Sequence, residues 1–410
     1  MVICMDKYEA LKKYFGYDSY RESQEEIIDS LLNKKDTIAI LATGGGKSVC
    51  FQIPALLSKG ITLVITPLIS LMQNQVEELK KRKINAAYLT SEMDKIEINN
   101  VINKVKNSEI KLLYISPERL ENERYCVIFL NLDISYVIID EAHCISIWGN
   151  DFRPSYQEIK NLINKLKQRP TIAALTATAN KKVIDDIEEI LQLKDVNIFK
   201  SGFDRPNLFY GVYRPKNKMN FLLKKLLTHK DEIFIIYTIT RKEAELIYEK
   251  LKKLNFNVGL YHGGLDGKVK EECQNNFMNE TYKIIVATNA FGMGINKPNI
   301  RFVINYSLPM SLEDLSQQSG RCSRDGEYGE CILLFDEADI KTCEYFIKET
   351  KCINKEMKEV LIKNKYKQLK SVINYATTTK CLHHVMLDYF DQMAKTKCFM
   401  CSNCLKRCGK

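Results

Sequence analysis

The stretch TIAILATGGGKSVCF, residues 37–51, decides the fold. Its first five residues are apolar or β-branched, as in a strand buried on both faces. Three glycines, Gly44, Gly45 and Gly46, follow, and Lys47 and Ser48 then open a helical pattern. Glycines at a strand-to-helix turn let successive backbone N–H groups curl around a phosphate, and the first turn of the helix adds N–H groups of its own. Thr43 completes the expected cradle. Lys47 has the reach for the β- and γ-phosphates of a nucleotide, and the Ser48 hydroxyl suits Mg²⁺. The strict G-x-x-x-x-G-K-[ST] pattern is departed from at its first position, where Leu41 stands.

Working outward, similar apolar runs recur at 61–66, 111–116, 136–140 and 171–175, and again at 232–238, 283–288, 301–305 and 330–335. The segments between them are long enough for crossover helices. This is the α/β pattern of parallel sheets covered by helices, and it occurs twice. The stretch 199–215, with Gly202 and Pro206, lacks periodicity and is expected to be an irregular hinge. After about residue 340 the strand pattern stops and helical patterns take over.

The run YVIID (136–140) ends in Asp140-Glu141-Ala142-His143. An Asp at a strand end beside a phosphate loop suits Mg²⁺, and a neighbouring Glu can orient and deprotonate an attacking water. Transfer of a phosphoryl group also needs positive charge in the transition state. The second α/β unit offers Arg321 and Arg324 in QQSGRCSRDG (317–326), three apart and expected on one helical face. They would reach a nucleotide held by the first unit only if the two units close on each other. Trp148, the one tryptophan of the chain, stands with Phe152 and Arg153 just after the acidic pair. Bases of a single strand stack on such rings at about 1–3 kcal/mol each.

The chain of 410 residues carries a net charge of +10. Residues 341–410 hold 15 Lys and Arg against 6 Asp and Glu, a net of +9, which leaves the first 340 residues at +1. A near-neutral body with a basic end fits a polyanionic partner. No run reaches the ~18 apolar residues of a membrane span, and the N-terminus lacks the pattern of a secretory signal. Membrane and secreted roles are therefore not expected. Of 14 cysteines, nine are scattered, and Cys381, Cys398, Cys401, Cys404 and Cys408 crowd the end. The spacing Cys398-x-x-Cys401-x-x-Cys404, 17 residues after Cys381, suits one tetrahedral Zn²⁺. Cys408, His383 and His384 are near enough to be alternatives. Four thiolates around one Zn²⁺ still leave this end basic.

An ordered series of motifs resembles the RecQ family of superfamily-2 DNA helicases. FGYDSYRESQ (15–24) resembles its adenine motif, and TPLISLM (66–72) and SPERL (116–120) its single-strand motifs. DEAHCISIWGNDFRPSY (140–156) resembles motif II with its aromatic-rich loop, and ALTATA (174–179) the coupling motif. IIYTITR (235–241), ATNAFGMGINKPNIRFVIN (287–305) and QQSGRCSRDG (317–326) resemble the motifs of the second lobe.

The resemblance implies two tandem RecA-like lobes, 1–203 and 204–340, then a helical zinc-binding subdomain, 341–410. It implies ATP, Mg²⁺ and Zn²⁺ as cofactors, with Tyr17 and Arg21 sandwiching the adenine and Gln24 on its edge. Lys47 and Ser48 would hold phosphate and Mg²⁺, Asp140 would hold Mg²⁺, and Glu141 would be the general base. Arg324 matches the arginine finger, Arg321 would support the phosphates, and Thr176 and Thr178 would link hydrolysis to lobe movement. Cys381, Cys398, Cys401 and Cys404 would ligate Zn²⁺. Trp148, Phe152 and Arg153 would couple DNA to hydrolysis. The activity implied is 3′→5′ unwinding of single-stranded and tailed duplex DNA in repair and recombination, inside the cell with the DNA. Ile147 stands where the family usually has Gln, and Asn150 where it has His or Arg, so DNA stimulation is expected to differ. The chain ends six residues after Cys404 without a winged helix or the small helical C-terminal domain. That fits a short form, and a translocase or annealing factor with weak unwinding is the alternative.

Overall fold

The computed structural model describes residues 5–42, 44–90, 93–149, 152–201, 204–292, 295, 297–352, 354–392 and 398–407. The chain divides into two compact units, Met1–Gly202 and Phe203–Lys410.

The first unit is built on seven parallel strands: β1 (Thr37–Leu41), β2 (Ile61–Ile65), β3 (Ala86–Leu89), β4 (Leu112–Ile115), β5 (Ile134–Ile139), β6 (Thr171–Thr176) and β7 (Asn197–Ser201). Their order across the sheet is β3-β4-β2-β5-β6-β1-β7. The interior strands are continuous apolar runs because helices cover both faces. Ile38, Val64, Ile138 and Ala174 are all at most 1% exposed. Only β6 separates β1 from β5, with Ile38 opposite Ala174 and Ile139 opposite Ala174 in register. The segments that follow β1 and β5 thus emerge side by side at the carboxyl edge, where open α/β sheets place their ligands.

The second unit holds six parallel strands: β8 (Leu208–Tyr213), β9 (Ile233–Tyr237), β10 (Val258–Tyr261), β11 (Ile284–Ala287), β12 (Ile300–Asn305) and β13 (Gly329–Leu334), in the order β10-β11-β9-β12-β13-β8. Phe234 and Phe302 stack face to face at 4.4 Å across adjacent strands. Helices Glu337–Lys348, Lys355–Thr377 and Leu382–Tyr389 follow; the first runs through the boundary expected at 340. The chain then returns to β8. The Tyr210 N–H donates to the Met400 carbonyl at 3.0 Å and the Val212 N–H to Ser402 Oγ at 3.1 Å. This covers the backbone of an edge strand that would otherwise offer a template for foreign strands.

The stretch 199–215 is not the irregular segment expected. It holds the end of β7 and all of β8, with only the residues around 202–207 between them. β7 escaped notice because it is an edge strand with exposed side chains, so NIFKS shows no buried run. β3 and β10 are four residues each and carry Ala or Gly, which strands disfavour.

Candidate functional site

The phosphate-type loop joins β1 to the helix Lys47–Leu57. Gly44 and Gly46 take positive φ, 89° and 77°. A Cβ on Gly46 would lie 2.3 Å from Gln24 Nε2, so only glycine admits that amide. Gln24 Nε2 donates to the Gly46 and Gly45 carbonyls at 3.1 and 3.4 Å, and its Oε1 accepts from the Arg21 N–H at 2.9 Å. Arg21 Nη1 donates to the Gly44 carbonyl at 2.9 Å. The segment expected to grip a base therefore also braces the loop. Gln24 is buried, Arg21 is exposed and Tyr17 is half-exposed. Thr43 lies outside the described residues.

Past the loop, Lys47 Nζ stands 3.9 Å from Glu141 Oε1, both side chains largely buried. Glu141 sits at φ 49°, and its N–H donates to Asp140 Oδ1 at 3.0 Å. Burial, and next the Glu141 charge, push the Asp140 carboxyl up to about 6, against the pull of Lys47. A buried carboxylate with too little positive charge around it is a fitting oxygen donor for a hard divalent cation. Ser48 Oγ accepts from Gln75 Nε2 at 3.3 Å. The structure brings Lys47, Asp140 and Glu141 together, with Ser48 next to Lys47 in the chain.

His143 ties this cluster to β6. Its Nδ1 lies 3.4 Å from Glu141 Oε2 and 2.8 Å from Thr176 Oγ1. The Thr176 hydroxyl donates to the Thr178 carbonyl at 3.1 Å, so toward His143 it accepts, and Nδ1 carries the hydrogen.

The loop after the acidic pair is docked on the helix Lys181–Leu191. Ser146 Oγ bonds Asp186, the Trp148 N–H donates to Ser146 Oγ at 3.0 Å, and Lys182 Nζ covers the Trp148 ring at 4.5 Å. Arg153 reaches the Pro67 carbonyl at 3.3 Å and Glu118 at 3.9 Å. It thereby joins the TPLISLM and SPERL segments. Ile147 and Phe152 are partly buried, and Asn150 lies outside the described residues.

In the second unit Arg321 and Arg324 do not share a helical face. The helix Leu312–Ser319 ends before them, and both lie in the turn that follows, where Ser323 takes φ 43°. Arg321 is buried and donates to the Gly292 carbonyl. Arg324 donates to the Ile295 and Gly320 carbonyls at 2.9 and 3.3 Å. Burial, then the neighbouring charges of Arg321 and Arg205, bring the Arg324 guanidinium down to about 9.

Also in this unit, Cys381, Cys398, Cys401 and Cys404 bring their sulfurs within 4.8 Å of one another. The sulfurs of Cys381 and Cys398 stand 3.3 Å apart, those of Cys398 and Cys404 3.8 Å, and those of Cys401 and Cys381 4.0 Å. Zn–S bonds of 2.3 Å in a tetrahedron require about 3.8 Å between sulfurs. Cys401 Sγ accepts the N–H groups of Leu382 and Cys404, each at 3.4 Å. The hydrogen bond from Cys398 holds the Cys401 thiol well below its usual range, to about 4, while Cys398 is pushed up. The donor set thus fits Zn²⁺. His383 is not part of it: its Nε2 faces the Leu208 carbonyl at 3.1 Å and its ring meets Tyr210 edge-on. Cys408 lies outside the described residues.

Sequence models of known families match the chain in three consecutive blocks. The DEAD/DEAH box helicase model covers residues 21–187, the helicase conserved C-terminal domain 217–326, and the RecQ zinc-binding model 337–405. The ATP-dependent DNA helicase RecQ of Bacillus subtilis is 43% identical over 96% of this chain and 66% of its own length. The chain belongs to the RecQ helicase family. A protein of Acanthamoeba polyphaga mimivirus, provisionally described as an ATP-dependent RNA helicase, is 39% identical over 97% of this chain and 71% of its own. The chain spans about two-thirds of the length of the bacterial RecQ proteins it matches. Saccharomyces cerevisiae Dbp5 bound to RNA and ADP BeF3 shares the fold, at TM-score 0.66 and 18% identity over 88% of this chain and 97% of that one. RecQ membership brings ATP with Mg²⁺ as the nucleotide and Zn²⁺ as the ion of the thiol cluster.

Three residues of this RecQ-family site were not singled out from sequence. Gln75 on Ser48 and Lys182 on Trp148 sit on ordinary amphipathic helices, and no motif marks them. His143 was visible within DEAH, but its bond to Thr176 depends on β5 and β6 being neighbours.

Proposed function

We propose that this chain is an ATP-dependent DNA helicase that moves 3′→5′ on single-stranded DNA and opens tailed duplexes in repair and recombination. The proposed division is lobe 1 to residue 203, lobe 2 to residue 340, and a zinc-binding subdomain beyond. The observation that carries the reading is the approach of Lys47 Nζ to Glu141 Oε1 at the carboxyl ends of β1 and β5. A phosphate loop whose lysine meets a carboxylate beside a second, buried carboxylate is suited to phosphoryl transfer to water.

In this reading Tyr17 and Arg21 hold the adenine. Gln24 Nε2 carries two hydrogens, and giving one to the base edge would release the longer of its two bonds to the loop. Gly44, Gly45, Gly46 and Thr43 cradle the phosphates, and Lys47 neutralises them. Ser48 and Asp140 would hold Mg²⁺, which when bound supplies charge neutralisation to the phosphate oxygens. Glu141 accepts the proton of the attacking water, with His143 Nδ1 3.4 Å from its second oxygen. Arg321 and Arg324 meet developing negative charge. Trp148, Phe152 and Arg153 report DNA to the acidic pair. Cys381, Cys398, Cys401 and Cys404 hold Zn²⁺. The substrate places the protein with DNA inside a cell. Among the described residues no helix is long and apolar enough to cross a membrane.

The test is ATP-dependent strand separation of a short duplex with either a 3′ or a 5′ single-stranded tail. Unwinding of the 3′-tailed substrate alone is expected. DNA-stimulated hydrolysis with no unwinding would replace the helicase with a translocase. Absence of hydrolysis would overturn the enzyme reading.

A further inference from the structure

The turn that carries Arg321 and Arg324 is built around a strained residue. Ser323 sits at φ 43°, a left-handed backbone that a side chain disfavours. Such a conformation persists only where its surroundings over-determine it. Part of that support comes from β12. The Ser323 N–H donates to the Ile300 carbonyl at 2.8 Å, and Arg301 Nη1 donates to Ser323 Oγ at 3.0 Å. The Arg301 fork also holds the Asp325 carboxylate, at 3.0 and 2.7 Å.

The rest comes from a residue more than a hundred positions away. Arg205 stands between β7 and β8, in the segment where the chain leaves the first unit and enters the second. Its Nη2 has two hydrogens and donates to the Cys322 and Ser323 carbonyls, each at 3.0 Å. Asn207 Nδ2 donates to the Ser323 and Glu327 carbonyls at 3.2 and 2.8 Å, and Asn207 Oδ1 accepts from Arg205 Nε at 3.4 Å. The Ser323 carbonyl and the Arg324 nitrogen belong to one planar peptide group, so holding the first holds the second. The direction in which the Arg324 side chain leaves the turn is therefore set from Arg205.

An amide would suffice if the turn needed only donors, and Asn207 already supplies two. A third guanidinium beside Arg321 and Arg324 is electrostatically unfavourable, because like charges repel, and Arg205 is among the groups that pull the Arg324 pKa down. What arginine offers over an amide is a rigid fork on a long stem. It fixes two successive carbonyls at once from outside the turn.

We propose that Arg205 is a positioning residue for ATP hydrolysis: by holding the Cys322 and Ser323 carbonyls it aims Arg324 at the developing charge. The segment that joins the two units then carries the arginine finger with it. The assignment rests on the reading of Arg324 given above.

The test is ATP turnover by the full chain with a short single-stranded deoxyoligonucleotide, under steady-state and single-turnover conditions. The variants are Arg205→Met, Arg324→Ala and the two combined. Arg205→Met keeps the stem and loses the donors. It should lower kcat about tenfold or more, with KM for ATP, oligonucleotide affinity and melting temperature unchanged. Because Arg205 acts through Arg324, the double variant should turn over ATP no more slowly than Arg324→Ala alone. A purely structural role would subtract its own loss again in the double variant, and that result overturns the proposal. Native kcat in Arg205→Met overturns it as well and leaves Arg324 in its place. Native turnover in Arg324→Ala overturns the finger reading, and this proposal with it. Should Arg205→Met melt early, Arg205→Lys, which keeps the charge without the fork, takes its place in the same comparison.

Discussion

The His143 ring donates from Nδ1 to the Thr176 hydroxyl at 2.8 Å, and the same nitrogen lies 3.4 Å from the Glu141 carboxylate. One imidazole therefore links the acidic pair after β5 to the ALTATA segment at the end of β6. Any shift of that segment is felt at the carboxylate proposed as general base.

This arrangement predicts a graded loss. Glu141→Gln removes the proton acceptor and should lower ATP turnover about 100-fold or more. His143→Ala removes the imidazole that stands between Glu141 and Thr176, and should lower kcat about tenfold with KM for ATP unchanged. Steady-state kinetics on the two variants checks both. An unaltered kcat in His143→Ala would show that the contact has no bearing on the chemistry.

Gly46 makes the phosphate loop intolerant of one methyl group. Its φ of 77° costs a residue with a side chain about 1–3 kcal/mol, and the new Cβ would displace the Gln24 amide, 2.3 Å away. Gly46→Ala should lose nucleotide binding and several degrees of melting temperature. Gly267→Ala is the control, because nothing lies within 4 Å of its added carbon. Equal nucleotide affinity in the two variants would refute the role given to the loop.

The thiol cluster is expected to carry about one Zn²⁺ per chain. Residues 400–402 pair with the edge strand β8, so loss of the ion should expose that edge as well as loosen the C-terminal helices. Cys398→Ser with Cys401→Ser should abolish zinc in elemental analysis, speed hydrogen exchange across residues 208–213, and promote aggregation. Native-like exchange in a zinc-free variant would mean the edge is held by other contacts.

Much of this was legible in the sequence, for a physical reason. Strands buried on both faces are continuous apolar runs, so β1, β2, β4, β5 and β6 announced themselves, and with them the loop at Gly44–Lys47 and the pair Asp140–Glu141. The cysteine spacing gave the metal centre because three of its four ligands are local. What escaped lacked a local signal. β7 is exposed, β3 and β10 are short and built on small residues, and β8 lies in a stretch that read as a hinge. The arginine pair was read at helical spacing, yet Gly320 and the left-handed Ser323 end the helix first. Gln75 on Ser48 and Tyr389 on Glu313 join residues 27 and 76 positions apart, and such contacts follow from the fold alone.

That last pair makes a pH-dependent prediction. Tyr389, at the end of the helix begun by Cys381, donates to Glu313 Oε1 at 2.6 Å, and Glu313 opens the helix that leads to Arg321 and Arg324. Glu313 is buried, and its Oε2 has no partner among the described residues. Burial raises its pKa, outweighing the bond from Tyr389. With the folded pKa above the unfolded one, the unfolded chain gives up this proton first as pH rises. Stability from this group is therefore full below the unfolded value and falls as pH climbs to the folded one. Glu313→Gln keeps an oxygen to accept from Tyr389 and has no proton to lose. Its melting temperature relative to the native chain should rise with pH from about 4, near the ordinary glutamate value, and level off once pH passes the folded pKa. Tyr389→Phe, which removes the Tyr389 bond to the carboxylate, should destabilise by about 1.5–3 kcal/mol at neutral pH and by less in acid. Melting curves that stay parallel for Glu313→Gln and the native chain from acid to neutral pH would show that the carboxyl is hydrated rather than buried against the zinc-bearing segment.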